Sequence, residues 1–512
     1  MEQQTLSDNT KRIARNTFLL YVRMLFSVVV SLVTSRLILQ VLGVENYGIY
    51  NVVGGVVILF TFLNSAMASS TQRFLTFELG RNNLGRLHTI FSTSIWIHLL
   101  ISVCILFLAE TVGIWLFYYK LIIPVERIEA AMWVYQFSVL SCVVTIMSVP
   151  YNAAIIARER MSVFAYISML DIALRCVVVG ALYLFPYDKL IVYAFLLLLV
   201  AVLIRAIYWA YCRTNLPETR FQWIWDRQLF HEMLHFAGWN LFGNMAYVGY
   251  TQGVNVLLNI FFGPAVNAAR AVVVQLQGTV NNFCNSFQTA MNPQITKSYA
   301  AKEWEYMFSL LIGSSKYSFI LLLFMTLPIW IEAEQILSLW LGIVPAHTAS
   351  FLRIILLVSM VDVMANPLIT IAQATGRIRN YQLIVGGVLL LIVPISYIAL
   401  KLGGRPESVF VVHLSVALIA QFVRLWMVRG LVGLSCRMYL ERVIGPLLRV
   451  VMVAFILPLS VYIFMPDSFL RLALVVVSSC TSVLLGGYVF GLESKERAFV
   501  KDKIRLLKQK IL

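Results

Sequence analysis

The sequence predicts an all-α protein that crosses a membrane many times. Of its 512 residues 60% are hydrophobic and only 12% are charged, with a mean hydropathy of +0.83, whereas a soluble domain is about 25% charged. Apolar stretches of roughly 20 residues, the length that spans a bilayer as a helix, recur from one end of the chain to the other. The net charge of +16 would suggest nucleic acid in a soluble protein. No basic soluble module exists to carry that role here, and an excess of Lys and Arg on one side of the membrane accounts for the charge.

About fourteen candidate spans follow in order, with cores at 17–42, 46–72, 88–118, 130–156, 161–185, 188–212, 230–262, 264–292, 306–331, 348–374, 380–401, 407–429, 442–465 and 469–491. The first apolar stretch is too long for a signal-peptide core and lacks a small-residue cleavage site, so it is expected to be retained as a helix. It carries Arg23 and Arg36. An arginine at membrane depth costs about 2.5 to 3.5 kcal/mol even on the lenient insertion scale, which makes each a candidate functional residue. Arg23 shares a face with Ser27, Ser31 and Thr34. Arg36 lies roughly 140° away and, like Arg23, is within snorkelling reach of an interface.

The loops between spans orient the chain. With the N-terminus cytoplasmic, the inside segments hold Arg81, Arg86, Arg158, Arg160, Arg213, Arg220, Arg227, Lys297, Lys302, Arg377 and Arg379, while the outside loops are acidic or nearly neutral. This bias predicts an even number of spans with both termini cytoplasmic, as in a multi-pass protein of the inner membrane. The tail, 493–512, is basic and amphipathic and is expected to lie on the anionic leaflet. The seven cysteines are scattered singly with no C-x-x-C spacing, so neither a disulfide framework nor a zinc site is expected.

An internal repeat divides the chain. Pro150, Ala157 and Arg160 recur at the spacing of Pro367, Ala374 and Arg377, a shift of about 217 residues, and a nearly equal shift superposes Gly43 on Gly263. The repeat predicts two lobes of six helices each in the same orientation, with a substrate path between them. The expected divisions are an N-terminal lobe 1–212, a cytoplasmic linker 213–229, a C-terminal lobe 230–430, two further spans within 431–492 and the tail.

Polar side chains gather on particular helix faces. At 100° per residue, Asn267, Arg270, Gln277, Asn281, Asn285, Gln288 and Asn292 of the eighth span fall within an arc of roughly 80°. Asn240, Asn244, Gln252, Asn255 and Asn259 of the seventh fall within roughly 120°. In the second span Asn51, Gly54, Thr61, Ser65, Ser69, Gln72 and Thr76 share a face. Hydrocarbon satisfies none of these amides, so they must bond one another or face water. Any single Asn or Gln is readily explained by an interhelical hydrogen bond. Whole faces of amides fit better the wall of a hydrated cavity that bonds sugar hydroxyls, and the guanidinium of Arg270 on that wall matches phosphate oxygens.

Other intramembrane charges are sorted by their neighbours. Asp171 and Arg175 lie one turn apart and are expected to pair, Asp171 otherwise being a candidate ion-coupling site. Asp362 has no partner in its own span and is the second such candidate. Lys316 is placed to snorkel or to face the cavity, whereas Arg205, Arg353, Arg424 and Arg449 lie near enough to interfaces to snorkel. His231 to His235 fits the H-E-x-x-H zinc pattern. It falls at the start of a span without a third ligand, so no metal, no cofactor and no enzymatic role are expected.

The stretch 34–80 carries a family likeness. Thr34-Ser35-Arg36, Gly43-Val44, Tyr47-Gly48-Ile49-Tyr50-Asn51-Val52-Val53-Gly54-Gly55, Thr71-Gln72-Arg73-Phe74 and Phe77-Glu78-Leu79-Gly80 resemble the polysaccharide-transporter branch of the MOP exporter superfamily, in particular Wzx-type O-antigen or capsule flippases of Bacteroides-like bacteria. The resemblance implies a MATE-like fold and a transporter that moves an undecaprenyl-diphosphate-linked oligosaccharide to the periplasmic leaflet by alternating access around a cationic cavity. It also implies polysaccharide polymerase and ligase machinery as partners. In that setting Arg23, Arg270 and Lys316 are expected to neutralise the diphosphate. Asn51, Asn240, Asn244, Gln252, Asn255, Asn259, Gln277, Asn281 and Asn285 are expected to contact sugars. A lipid II flippase and a cation-coupled MATE multidrug exporter are the nearest alternatives. A membrane glycan polymerase or ligase fits less well, since no sizeable outer loop exists to carry its chemistry.

Overall fold

Apolar stretches long enough to bury their own backbone hydrogen bonds become helices, and no strand occurs among the described residues. The computed structural model describes residues 2–58, 62–119 and 123–493 together with Arg497 and Lys501; for part of 2–65, Arg36 and Asn51 among them, the backbone alone is described. The tail expected on the membrane surface falls almost wholly outside the described residues.

The helices in order are α1 (Glu2–Ile58), α2 (Phe62–Gly80), α3 (Leu84–Tyr119), α4 (Val125–Ala157), α5 (Met161–Ala181), α6 (Lys189–Asn215), α7 (Arg227–Phe262), α8 (Pro264–Ala300), α9 (Trp304–Ile331), α10 (Ala333–Leu341), α11 (Thr348–Thr375), α12 (Arg379–Lys401), α13 (Glu407–Val432), α14 (Cys436–Phe464) and α15 (Phe469–Gly491). Among the described residues ten of them are long and apolar enough to cross a membrane: α3 to α6, α9 and α11 to α15. At 36 and 37 residues α7 and α8 have ample length but are not among the ten. Their amide-bearing faces lower the hydropathy that the same length of Leu and Val would give.

The chain divides into two compact units. One comprises Met1–Asn244 with Thr296–Glu303, the other Met245–Ile295 with Trp304–Leu512. In the first, Ile38, Val41 and Leu42 of α1 pack with Val178 and Val179 of α5 and Tyr193, Leu197 and Val200 of α6. In the second, Val254, Leu257 and Leu258 of α7 join Ala269 and Val273 of α8, Leu352 and Ile355 of α11, and Phe410 and Val416 of α13.

Matching backbone turns recur at the positions of the sequence repeat. Gly43, at the kink where the two helices that make up α1 meet, and Gly263, between α7 and α8, take φ values of 75° and 78°, a positive-φ conformation that glycine adopts without steric cost. After α2 the amides of Arg81, Asn82 and Asn83 donate to the carbonyls of Phe77, Leu79 and Glu78; after α8 those of Ala301, Lys302 and Glu303 donate to Lys297, Tyr299 and Ser298. Both corners lie about 220 residues apart, and Asn82 and Lys302 are left-handed in each. At the shift of about 217 residues, Glu159 and Gly376 are again left-handed and donate to the carbonyls of Ile156 and Gln373. The same corner geometry at matching positions is what a parallel duplication produces.

Buried charges fasten the elements. In the first unit Lys297 pairs with Glu159, whose carbonyl accepts from Asn16 Nδ2 at 3.2 Å. Gly80 is where the end of α2 meets the end of α8: a Cβ there would stand 2.5 Å from the carbonyl oxygen of Lys297. In the second unit Arg471 of α15 binds both oxygens of Glu332 at 2.8 and 2.9 Å. The Asp171–Arg175 pair anticipated from their spacing is formed, with Nε donating to Oδ1 at 3.0 Å.

Candidate functional site

Polar side chains converge on a cavity of about 490 Å³ in the second unit, walled by α7, α8, α11, α12 and α13. Their convergence follows from helix geometry. Gly263 reverses the chain and Pro264 opens α8, a position where proline's fixed φ suits a helix start. Arg270, two turns into α8, then reaches back to α7, where Nη2 donates to the Thr251 carbonyl at 2.7 Å. A guanidinium has five N–H donors, so most of this one is left to the cavity. Gly253 lets α7 and α12 approach closely, since a Cβ there would lie 2.6 Å from Val393 Cγ2.

Arg424 of α13 is the second cation on the wall. The sequence placed it near an interface; the structure buries it, at 5% exposure, beside Tyr381 and facing Asp362 of α11. Its Nε and Nη1 have no hydrogen-bond partner of ordinary geometry among the described residues. A buried guanidinium short of hydrogen-bond acceptors is costly. Asp362 compensates part of that charge, and a second anion entering the cavity would compensate more. Two guanidinium groups against one carboxylate leave the lining with one excess positive charge.

Aromatic and amide groups complete the wall. Tyr250 packs edge-on against Tyr247 at 5.3 Å and against His413 of α13 at 5.2 Å. Gln252, Gln277 and Asn281 line the same space, and Gln277 Nε2 donates to Ser359 Oγ at 3.0 Å. Such a wall offers hydroxyl-binding amides beside phosphate-binding guanidiniums.

The predicted stripe on α8 divides in two. Its N-terminal part, Arg270, Gln277 and Asn281, faces the cavity. Its C-terminal part is a helix lock: Gln288, 1% exposed, donates from Nε2 to Ser318 Oγ at 3.1 Å and to the Val363 carbonyl at 2.7 Å, and its Oε1 accepts from Asn366 Nδ2 at 2.7 Å. Asn259 and Asn285 are exposed, Asn255 is half-buried, Asn240 is buried and Asn244 is exposed; none of the five lines the cavity.

Lys316 is buried in α9, where Nζ donates to the Gly491 carbonyl at 3.1 Å and lies 3.8 Å from Glu493. Arg23 belongs to the first unit, with its guanidinium 4.8 Å from the centre of the Phe164 ring. The side chain of Asn51 lies outside the described residues. His231 Nδ1 contacts the Arg227 carbonyl at 2.9 Å, and His235 Nε2 accepts from Trp239 Nε1 at 3.0 Å, so each ring is engaged by its own helix.

His413 and the Tyr247–Tyr250 pair were not singled out from sequence, and Arg424 was read only as an interfacial arginine. His413 and Arg424 are eleven positions apart, three helical turns, which puts them within roughly 20° of each other on α13.

No family model matches the chain, and no curated protein matches it. Solved structures do. A multidrug resistance MATE family transporter of the MOP superfamily, in an outward-facing conformation, superposes with a TM-score of 0.71 at 14% identity, covering 83% of this chain and 96% of that one. A MATE in complex with MaD3S gives a TM-score of 0.72 at 13% identity over the same shares. This chain has the MATE-like fold. A MOP superfamily transporter from Pyrococcus furiosus, described as having a binding pocket whose reverse polarity suggests a different function, matches at a TM-score of 0.70 and 14% identity, again over 83% and 96% of the two chains. At such identities the likeness speaks for the fold alone.

Proposed function

We propose that the protein is a membrane transporter of an anionic, hydroxyl-rich lipid conjugate: a flippase for undecaprenyl-diphosphate-linked oligosaccharide. The observation that carries this reading is that Arg270 and Arg424 line one cavity together with Gln252, Gln277 and Asn281. Guanidinium forks match the oxygens of a diphosphate, and amides match sugar hydroxyls in both donor and acceptor sense. Asp362 would hold Arg424 in the empty state and surrender it to the diphosphate, which keeps the cavity from burying an unbalanced charge at either stage. The family likeness within 34–80 supports the same cargo, and a pocket of reversed polarity is already ascribed to one protein of similar fold.

A second reading has its own observation. The Asp362 carboxylate on the cavity wall suits a bound proton or cation, and a cation-coupled exporter of the MATE type would use it so. The two readings part on Arg270, which repels a cationic drug and attracts a diphosphate. Deleting the gene and analysing the lipid-linked saccharides decides between them: the flippase reading expects such lipids to accumulate on the cytoplasmic face, restored to normal by the wild-type chain and not by Arg270→Ala. An unchanged pool would remove the flippase reading.

A further inference from the structure

The segment joining α6 to α7 is held against the membrane-spanning part of the first unit in a specific way. Trp96 of α3 is edge-packed by Phe221 at 5.8 Å, Trp223 at 5.3 Å and Trp225 at 6.2 Å. The Gln222 amide donates to Ser92 Oγ at 3.1 Å, and Arg158 Nε donates to Glu218 Oε1 at 2.6 Å. These contacts fix the segment's depth, because α3 itself measures depth. Its exposed apolar side chains run through Leu99, Leu100, Val103 and Phe107 to Trp115, Tyr118 and Tyr119. From Trp96 to Tyr118 the rise is about 33 Å at 1.5 Å per residue, close to the roughly 30 Å of bilayer hydrocarbon. Trp96 therefore stands at one edge of the hydrocarbon and the tyrosine pair at the other, as aromatic belts do.

The outward side of the segment is aromatic and basic. Trp223 is 84% exposed and Trp225 58%. Arg213, Arg220 and Arg227 are exposed as well, whereas Glu218 is buried with Arg158 and Asp226 Oδ1 accepts from the Leu229 amide at the start of α7. Three cations are thus exposed, Arg213 with its guanidinium 5.2 Å from the centre of the Trp209 ring, and no exposed carboxylate lies between them in the chain. Indole rings prefer the headgroup level, and basic residues near an anionic leaflet are drawn to it.

We propose that the segment from Phe221 to Trp225, flanked by Arg213, Arg220 and Arg227, is a binding surface for anionic phospholipid headgroups. The tryptophans set it at the boundary, and the arginines choose the lipid charge. The proposal is independent of the cargo.

The test uses the full chain reconstituted in nanodiscs containing brominated phosphatidylglycerol or the same fraction of brominated phosphatidylcholine, with tryptophan emission as the readout. The expected result is stronger quenching by the anionic lipid in the wild type. Raising salt from about 0.1 to about 1 M shortens the Debye length from about 10 to about 3 Å and should remove the excess. A variant with Arg213→Gln, Arg220→Gln and Arg227→Gln should lose most of it, the corresponding three Arg→Lys changes should keep it, and Trp223→Ala with Trp225→Ala should lose it while leaving the arginines in place. Equal quenching by the two lipids in the wild type, or an excess that survives the three Gln changes, overturns the proposal.

Discussion

Replacing Gln288 by leucine tests the division of the α8 stripe into wall and lock. The side chain is 1% exposed and makes three hydrogen bonds, two donated to Ser318 Oγ and the Val363 carbonyl and one accepted from Asn366. Interhelical hydrogen bonds measured in a membrane protein average about 0.6 kcal/mol, with a maximum near 1.7. Three of them come to about 2 kcal/mol, or roughly a thirty-fold change in the folded-to-unfolded ratio. Leucine is close in volume, so cavity formation adds little. Denaturant titration in mixed micelles should therefore show a loss of about 2 kcal/mol, while transport per folded molecule stays within a factor of about two of wild type. Gln277→Leu, which removes one bond to Ser359 and a polar group from the cavity, should show the reverse: a loss under 1 kcal/mol, about one such bond, and impaired transport. Undiminished stability in Gln288→Leu together with lost transport would refute the division.

Other outcomes follow from single contacts. Arg471→Met strands a carboxylate that is 1% exposed; stability should fall by about 3 kcal/mol, and adding Glu332→Gln should restore at least half of it, measured by the same titration. Gly263→Val forces a β-branched residue to the φ of 78° seen there and should cost about 1 to 2 kcal/mol or more, whereas the same change at Gly278, where a Cβ meets open space, should cost less. His235→Ala should leave transport unchanged, and so should a zinc chelator, because the ring is engaged by Trp239; loss of activity on chelation would reopen the H-E-x-x-H motif.

Much of the architecture was legible because membrane helices announce themselves by length and hydropathy. The glycines of the repeat were legible as turn positions, since Gly43 and Gly263 both take a positive φ. The polar helices were harder. Periodicity places Arg270, Gln277, Asn281 and Gln288 on one face without saying which of them meets a cavity and which meets Ser318 and Asn366 on neighbouring helices. Arg424 was read as interfacial because distance from a span's end is visible in sequence, whereas a buried carboxylate on another helix is not. Its spacing from His413 was the available signal. Lys316 shows the converse: a buried lysine looks like a cavity cation until the Gly491 carbonyl at the end of α15 is placed beside it.

The central claim, that Arg270 and Arg424 receive a diphosphate, is tested most directly by translocation of an undecaprenyl-diphosphate oligosaccharide in proteoliposomes, with Arg270→Gln and Arg424→Gln compared with wild type at equal reconstituted amounts. A charge-assisted hydrogen bond is worth about 1.5 to 3 kcal/mol, so each variant should translocate at least about ten-fold more slowly while uptake or export of a cationic dye stays at the wild-type level. Wild-type translocation of the lipid-linked saccharide by both variants, or none by the wild type, would contradict the account.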